Sequence, residues 1–238
     1  MATNRRRQSQ TGQEIIEFAL ISILLVPMFL GMFVVGMNLI RSIQANQVVR
    51  DIDDMFIHGA DFSTLGMQQE AQRLAQGLNL QISAFSGDTG GHEQANTGNS
   101  GNSLITVTEI MWVGDSTSQN CQLVGASNCT NQNSFVYVQQ LQFGNGTLAN
   151  SGTVSVGTPS GATINSSGVV ANNVTDTHAQ LPSAAQSAMQ AVWAASAGTG
   201  QQPLADGQVA YITEGYFQSP DLTISSLSGS GVYARYFF

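Results

Sequence analysis

The chain contains no lysine and few charged residues of any kind. Charged residues make up 9% of its 238 positions, against about 25% in an average soluble protein. Outside Arg5, Arg6 and Arg7, only four arginines stand against fifteen acidic residues. The chain therefore lacks the basic patch that binding to nucleic-acid phosphates requires, and we predict no nucleic-acid partner. A polar surface with so little charge is more typical of secreted or cell-surface proteins than of cytosolic enzymes.

Residues that bind metals or carry out catalysis are also scarce. None of the three histidines, His58, His92 and His178, has ligand spacing to another histidine or to a cysteine. Asp88, His92 and Glu93 share one Gly-rich loop, which we interpret as solvated rather than as a cation site. The sequence also lacks a G-x-S-x-G motif, a P-loop and a dinucleotide-binding glycine motif. We therefore predict no metal, no cofactor and no enzymatic activity, and we identify no small-molecule substrate.

The only two cysteines, Cys121 and Cys129, lie eight positions apart. In an oxidising compartment they could close a short loop through a disulfide. The alternative is a pair of separate buried thiols. We predict the disulfide on condition that this part of the chain is exported.

One long apolar run stands out near the N-terminus. The 23 residues from Phe18 to Ile40 carry no charge, and as a helix they would span roughly 35 Å, enough to cross a bilayer core. The run is longer than the apolar region of a cleaved secretory signal, and an all-round apolar face argues against the alternative of a buried core helix. Because Arg5–Arg7 precede the run, the positive-inside rule places the N-terminus in the cytoplasm and the rest of the chain outside it.

Two residues of this segment are unusual for a membrane helix. Pro27 lies inside the apolar run and is expected to kink it. Glu17 lies at the start of the run, where a carboxylate is costly unless another group neutralises it. The alternative is that Glu17 is hydrated at the level of the lipid headgroups.

Residues 12–18 (GQEIIEF) resemble the processing site of type IV pilin-like proteins. In that superfamily a prepilin peptidase cuts after the glycine that ends a short basic leader, and the fifth residue of the mature chain is glutamate. A cut after Gly12 would make Gln13 the new N-terminus and Glu17 the fifth residue. The sequence Glu17-Phe18-Ala19-Leu20, followed by an aliphatic run and a proline, is most similar to TadE-like minor pseudopilins of the Flp/Tad (tight adherence) branch.

This resemblance, which covers about residues 5–60, implies a set of roles and partners. It implies processing at Gly12 and Gln13, and assembly roles for Glu17 and Phe18. The implied partners are the membrane, a prepilin peptidase, other pilins or pseudopilins and the pilus assembly machinery. The implied location is the inner membrane, with the C-terminal domain periplasmic or extracellular. Two alternatives stay open, a signal-anchored binding protein or adhesin that does not assemble, and an exported membrane-tethered enzyme.

Beyond the apolar run, hydrophobic periodicity predicts that the first helix continues to about His58 and ends at Gly59. An acidic cluster on this extension, Asp51, Asp53 and Asp54, is expected to be a solvated face. A second helix should follow a cap at Ser63 or Thr64 and end near Gly77. Its predicted buried face consists of Met67, Ala71, Leu74, Ala75 and Leu78.

The remainder of the chain is predicted to form strands and long polar loops. The predicted strands are Gln81–Phe85, Leu104–Val113, Ser134–Phe143, Gln208–Phe217 and Gly231–Phe238, with a helix at Ala184–Ala197 and loops at residues 86–103 and 144–180. We therefore predict an α+β fold, with a mainly antiparallel sheet packed on the exposed half of the long helix. The resemblance implies the same plan for pilin-like proteins. The predicted divisions are a basic leader (1–12), the helix and its extension (13–60) and an exported domain (61–238).

Overall fold

The computed structural model describes residues 4–81, 95–98, 101–151, 155–193, 204–218 and 231–238. The fold is α+β, as predicted, with one long N-terminal helix and a mainly antiparallel sheet. The helices are α1 (Asn4–Ile57), α2 (Leu65–Leu74), α3 (Gln119–Val124) and α4 (Ser183–Trp193). The strands are β1 (Ala95–Gly98), β2 (Ser103–Val113), β3 (Ser134–Asn145), β4 (Val209–Phe217) and β5 (Val232–Phe237).

Helix α1 ends close to the predicted position, in a Schellman motif. The Gly59 N–H donates to the Phe56 carbonyl (3.0 Å), and the Ala60 N–H donates to the Met55 carbonyl (3.0 Å). Gly59 adopts a φ of +85°, a conformation that costs glycine little because it has no Cβ. Pro27 lies near the middle of α1 and does not interrupt the helix. The chain divides into two compact units between Ser42 and Ile43, which are described separately below.

The sheet of the second unit has the strand order β1-β3-β2-β4-β5. Strands β2 to β5 pair antiparallel, and β1 pairs parallel with β3. The expectation of an uninterrupted loop over residues 86–103 is wrong for Ala95–Gly98, which form β1. Apolar periodicity could not reveal this strand, because it is short, polar and held by backbone pairing to Gln142–Asn145.

The last part of α1 packs on one face of the sheet. The helix contributes five buried residues to this contact, Ala45, Val48, Val49, Ile52 and Phe56. The strands contribute Ile105, Val107, Leu141, Phe143 and Phe217. The Phe56 ring makes an edge contact with Tyr211, with centroids 5.3 Å apart. Gly215 of β4 lies beneath Val49, where an added Cβ would stand 2.5 Å from Val49 Cγ2. The helix and the strand therefore approach each other at a distance that only glycine allows.

The opposite face of the sheet is covered by α4 and by an irregular segment, residues 155–182. Val156, Val170 and Leu181 of this segment join Met189 and Trp193 of α4 in a second core. The backbone of this segment pairs with β3 through isolated bridges, among them Gln139–Val169 and Val136–Gln180. Side-chain hydrogen bonds add to them, such as that from the Tyr137 hydroxyl to the Val156 carbonyl at 2.6 Å. The sequence predicted a loop here, and the structure shows that this loop carries part of the core.

The second helix lies where it was predicted, but its buried face differs in one position. Ala71, Ala75 and Leu78 are buried, whereas Leu74 is 41% exposed. Gln68, which was not predicted to be buried, is fully buried, and its Nε2 donates a hydrogen bond to the Phe62 carbonyl at 2.8 Å. A hydrogen-bonded amide can occupy a core position that an apolar pattern would not assign to it.

The predicted disulfide between Cys121 and Cys129 is present, with Cα atoms 5.0 Å apart. Cys121 belongs to α3, a short helix that the sequence analysis did not predict. Both cysteines are buried with Val113, Val136 and Val174 in a third small cluster. The cross-link therefore closes a loop within the β2–β3 connection, and the apolar packing around it holds that connection against the sheet.

Some predictions fall outside the described residues. The greater part of the strand predicted at Gln81–Phe85, the last four residues of the helix predicted at Ala184–Ala197, and the loop containing Asp88, His92 and Glu93 lie there. The strands predicted from Leu104, Ser134, Gln208 and Gly231 are all confirmed within a few residues of their predicted ends.

Candidate functional site in the N-terminal apolar helix

The N-terminal part of α1 presents large apolar side chains around its whole circumference. Most of the large apolar side chains between Ile15 and Ile40 are exposed, from 43% for Leu25 to 76% for Ile23, while Val34 and Met37 are partly buried. Within the described residues, the helix over Gln13–Ile57 is the one candidate membrane span by length and composition. This uninterrupted apolar surface is the property that a bilayer stabilises and water does not.

The polar residues at the start of the apolar run are hydrogen-bonded to each other. The Gln13 side-chain amide donates to Glu17 Oε1 at 3.1 Å, one helical turn away. Phe18, the next residue, is 73% exposed. Glu17 thus has one local partner for one carboxylate oxygen, which reduces but does not remove the cost of placing its charge beside lipid.

One face of this part of α1 forms a shallow apolar strip. It follows helical spacing from the start of the run to the proline, through Ile15, Phe18, Ala19, Ser22, Ile23, Val26 and Pro27. The small side chains of Ala19 and Ser22 lie at its centre, where they would allow another helix to approach closely. The strip and Glu17 therefore belong to the same turns of the same helix.

In the second unit, Asp53 is fully buried, and the expectation of a solvated acidic face is wrong for this residue. Thr213 Oγ1 of β4 donates to Asp53 Oδ1 at 2.7 Å, while Oδ2 has no hydrogen-bond partner. Burial raises the pKa of Asp53 to about 6; the neighbouring Asp54 charge adds to this and the Thr213 bond opposes it. Asp51 and Asp54 are exposed, as expected.

The sequence carried a signal for this burial. Asp53 lies four positions after Val49 and three before Phe56, so it belongs to the same helical stripe as these two core residues. Because Asp53 stands beside the acidic residues Asp51 and Asp54, it was interpreted together with them as part of a solvated face.

A second buried carboxylate, Glu214 of β4, lies on the opposite face of the sheet. It accepts hydrogen bonds from the Ser155 N–H (3.0 Å), the Val156 N–H (3.2 Å) and the Tyr233 hydroxyl. Arg235 in turn donates to Ser155 Oγ at 2.5 Å. Burial and the Glu214 charge raise the pKa of the Tyr233 phenol. This network joins β4, β5 and the irregular segment, and we assign it a structural role.

The residues that could bind a metal do not cluster in the described parts of the chain. No three His, Cys, Asp or Glu side chains come together there. His58 contacts Asp54 of the preceding turn, and His178 contacts Asp176.

A comparison with known protein families found a match for the N-terminal segment. The family model described as TadE-like protein matches residues 12–52. This segment is TadE-like. The match begins at Gly12, contains Glu17 and the apolar run, and ends at Ile52, on the part of α1 that packs on the sheet. It confirms the resemblance inferred from the sequence motif.

The match covers the N-terminal segment and leaves the greater part of the second unit unmatched. Comparisons with curated proteins and with solved structures found no match.

Proposed function

We propose that this protein is a minor pseudopilin of a Tad-type pilus, cut by a prepilin peptidase between Gly12 and Gln13. The observation that carries the proposal is the TadE-like match that starts at Gly12 and includes Glu17, on a helix that carries no charge from Phe18 to Ile40. After the cut, the mature chain would remain in the inner membrane through α1. Its second unit would lie in the periplasm or outside the cell, where the Cys121–Cys129 disulfide would persist.

The proposed chemistry of assembly concerns two charges at the membrane boundary. Cleavage would create an amine at Gln13, one helical turn from the Glu17 carboxylate. An amine and a carboxylate about 4 Å apart attract by roughly 4 kcal/mol at an effective dielectric near 20, before desolvation is subtracted. A neighbouring pilin shifted along the helix axis could supply either charge instead. Such a pair would cancel two charges in lipid and fix the axial register of the subunits.

The apolar strip supplies the second element of the proposal. The strip contains Phe18, Ala19 and Ser22, in the same turns as Glu17. At about 3.6 residues per turn, Glu17 projects from the opposite side of the helix, so a helix packed on the strip and a charge partner of Glu17 would occupy two different faces of α1. We propose that other pilins or pseudopilins occupy this face, and that the complex takes part in pilus assembly, adherence or secretion together with the assembly machinery.

We predict that Glu17→Gln lowers co-purification with the other Tad pilins by tenfold or more, because it removes the charge while keeping the shape. Glu17→Ala should act in the same way. Crosslinking to the pilus machinery and a count of surface pili would be measured in parallel. Glu14→Gln, the same substitution on the adjacent turn, serves as the control and should resemble the wild type.

These measurements also distinguish an assembling pseudopilin from a membrane-anchored protein that does not assemble. Insertion and cleavage should be normal in Glu17→Gln, so that a defect in assembly cannot be attributed to loss of the protein. Wild-type assembly by Glu17→Gln would show that the carboxylate is a hydrated group at the membrane surface. An adhesin that never assembles would show no pilin partners even in its wild-type form.

A further inference from the structure

Within the described residues β5 is the last strand of the sheet, and one of its edges faces away from β4. The Tyr211 N–H donates to the Phe238 carbonyl (2.9 Å) and the Phe238 N–H donates back to Tyr211 (3.0 Å). Because hydrogen-bonded pairs alternate along an antiparallel ladder, Tyr236, Ala234 and Val232 of β5 also bond to β4. The backbone N–H and C=O groups of the intervening residues, Tyr233, Arg235 and Phe237, therefore point away from β4. Within the described residues, these groups have no partner.

The usual devices that protect an edge strand are missing from β5. Natural edges carry lysine, proline, a bulge or an inward-pointing charge. The chain has no lysine, β5 has no proline, and the β4–β5 register is continuous from Val232 to Phe237. The one charge of the strand, Arg235, is engaged elsewhere, with its guanidinium 4.5 Å from the centroid of the Phe237 ring and bonded to Ser155.

The side chains of the outward-facing residues hold this edge in place. Tyr233 bonds to buried Glu214, Arg235 bonds to Ser155, and Phe237 packs edge-on against Trp193 with centroids 5.7 Å apart. An incoming strand would therefore meet a backbone that is already ordered, which lowers the entropic cost of binding.

A groove runs beside the edge on the α1 face of the sheet. It lies between α1 and β5, and its lining includes Ile43, Arg50 and Tyr236. Arg50 is exposed and forms no salt bridge or side-chain hydrogen bond with the described residues. Alternate side chains of an added strand would enter this groove, where Ile43 and Tyr236 offer apolar contact and Arg50 offers a cation.

We propose that β5 binds an extended segment of a partner protein by strand addition, and that this segment alternates apolar residues with an acidic residue opposite Arg50. Backbone hydrogen bonds to Tyr233, Arg235 and Phe237 would supply affinity, and the groove would supply specificity. This interaction does not depend on cleavage at Gly12 or on filament assembly, since it uses only the second unit.

The test uses full-length protein in detergent and a short fluorescent peptide of alternating valine and threonine with one central glutamate. We expect the wild type to bind it, and Arg235→Pro to bind at least about tenfold more weakly than Arg235→Ala. Both variants lose the guanidinium, but only proline removes the outward N–H, which β4 does not use. Arg50→Glu should weaken binding about tenfold and favour a peptide with lysine in place of glutamate.

Hydrogen exchange gives an independent readout if Arg235→Pro does not fold. In the wild type, the peptide should slow exchange of the Tyr233, Arg235 and Phe237 amides and leave the Ala234 and Tyr236 amides unchanged. The proposal is overturned if the wild type binds neither peptide, or if Arg235→Ala and Arg235→Pro bind equally. A dimer of the purified chain that Arg235→Pro abolishes would identify a second copy as the occupant and contradict the acidic partner segment.

Discussion

Asp53→Asn is expected to raise the free energy of unfolding by about 3 kcal/mol near pH 8 and to change it little near pH 4. Asp53 is fully buried, and its pKa rises from the ordinary 3.8 to about 6 mainly because burial disfavours its charged form. Between these two values the native state keeps a proton that the unfolded chain has lost. Native stability therefore falls as the pH rises from about 4 to about 6, and a neutral amide removes that loss.

The measurement is chemical unfolding of the full chain in detergent at a series of pH values. Asp51→Asn, on the exposed side of the same helix, is the matched control and should follow the wild-type pH dependence. Asn at position 53 can still accept the hydrogen bond from Thr213 Oγ1. If the free energy of unfolding of Asp53→Asn depended on pH in the same way as that of the wild type, ionisation of the buried Asp53 carboxylate would not destabilise the native state.

Gly215→Ala is expected to destabilise the second unit by about 1–3 kcal/mol, because the new methyl group overpacks the contact between α1 and β4. Its Cβ would stand 2.5 Å from Val49 Cγ2 and 2.7 Å from Phe217 Cε2. Neither neighbour can move freely, since Val49 and Phe217 are both buried in the first core. Helix α1 would have to shift away from the strand or the strand would have to bend.

Gly66→Ala, the same substitution in open space, is expected to stabilise the protein and serves as the control for Gly215→Ala. Gly66 lies on the exposed side of α2 and has no atom within 4 Å of an added Cβ. Alanine there should stabilise the protein by up to about 1 kcal/mol through its higher helix propensity. Thermal unfolding of both variants checks the pair. A Gly215→Ala protein as stable as the wild type would mean that α1 does not pack on β4 as closely as the structure shows.

The elements predicted best were those whose sequence pattern is local. The long apolar run predicted α1, and Gly59 predicted its end because a positive φ is needed there. The alternation in residues 134–143 predicted β3. The TadE-like motif at Gly12 and Glu17 is also local, and the family match over residues 12–52 agrees with it.

The features that could not be predicted depend on contacts between distant parts of the chain. Asp53 is buried through Thr213, which lies 160 residues away in sequence. Strand β1 exists through backbone pairing with β3, and the irregular segment reaches the second core through Val156 and Leu181. The pairing of β1 and the contacts of the irregular segment leave no periodic pattern in the sequence, because each depends on the position of a partner strand. For Asp53, only its place on the apolar stripe of α1 was visible in the sequence.

The TadE-like match stops at Ile52, so the core that completes the fold and the β5 edge lie beyond it. The resemblance to TadE-like proteins rests on residues 12–52, whereas the proposed β5 interaction uses residues outside that match.

The most direct test of the proposed function is the N-terminal mass of the membrane-bound protein, from cells with and without their prepilin peptidase. We expect the mature chain to begin at Gln13 in the first case and to retain residues 1–12 in the second. Gly12→Phe should block the cut by hindering access to the peptide bond, whereas Gly31→Phe, the same change inside the apolar run, should not. A wild-type protein that still begins at Met1 or Ala2 in cells with an active peptidase would contradict the pseudopilin assignment.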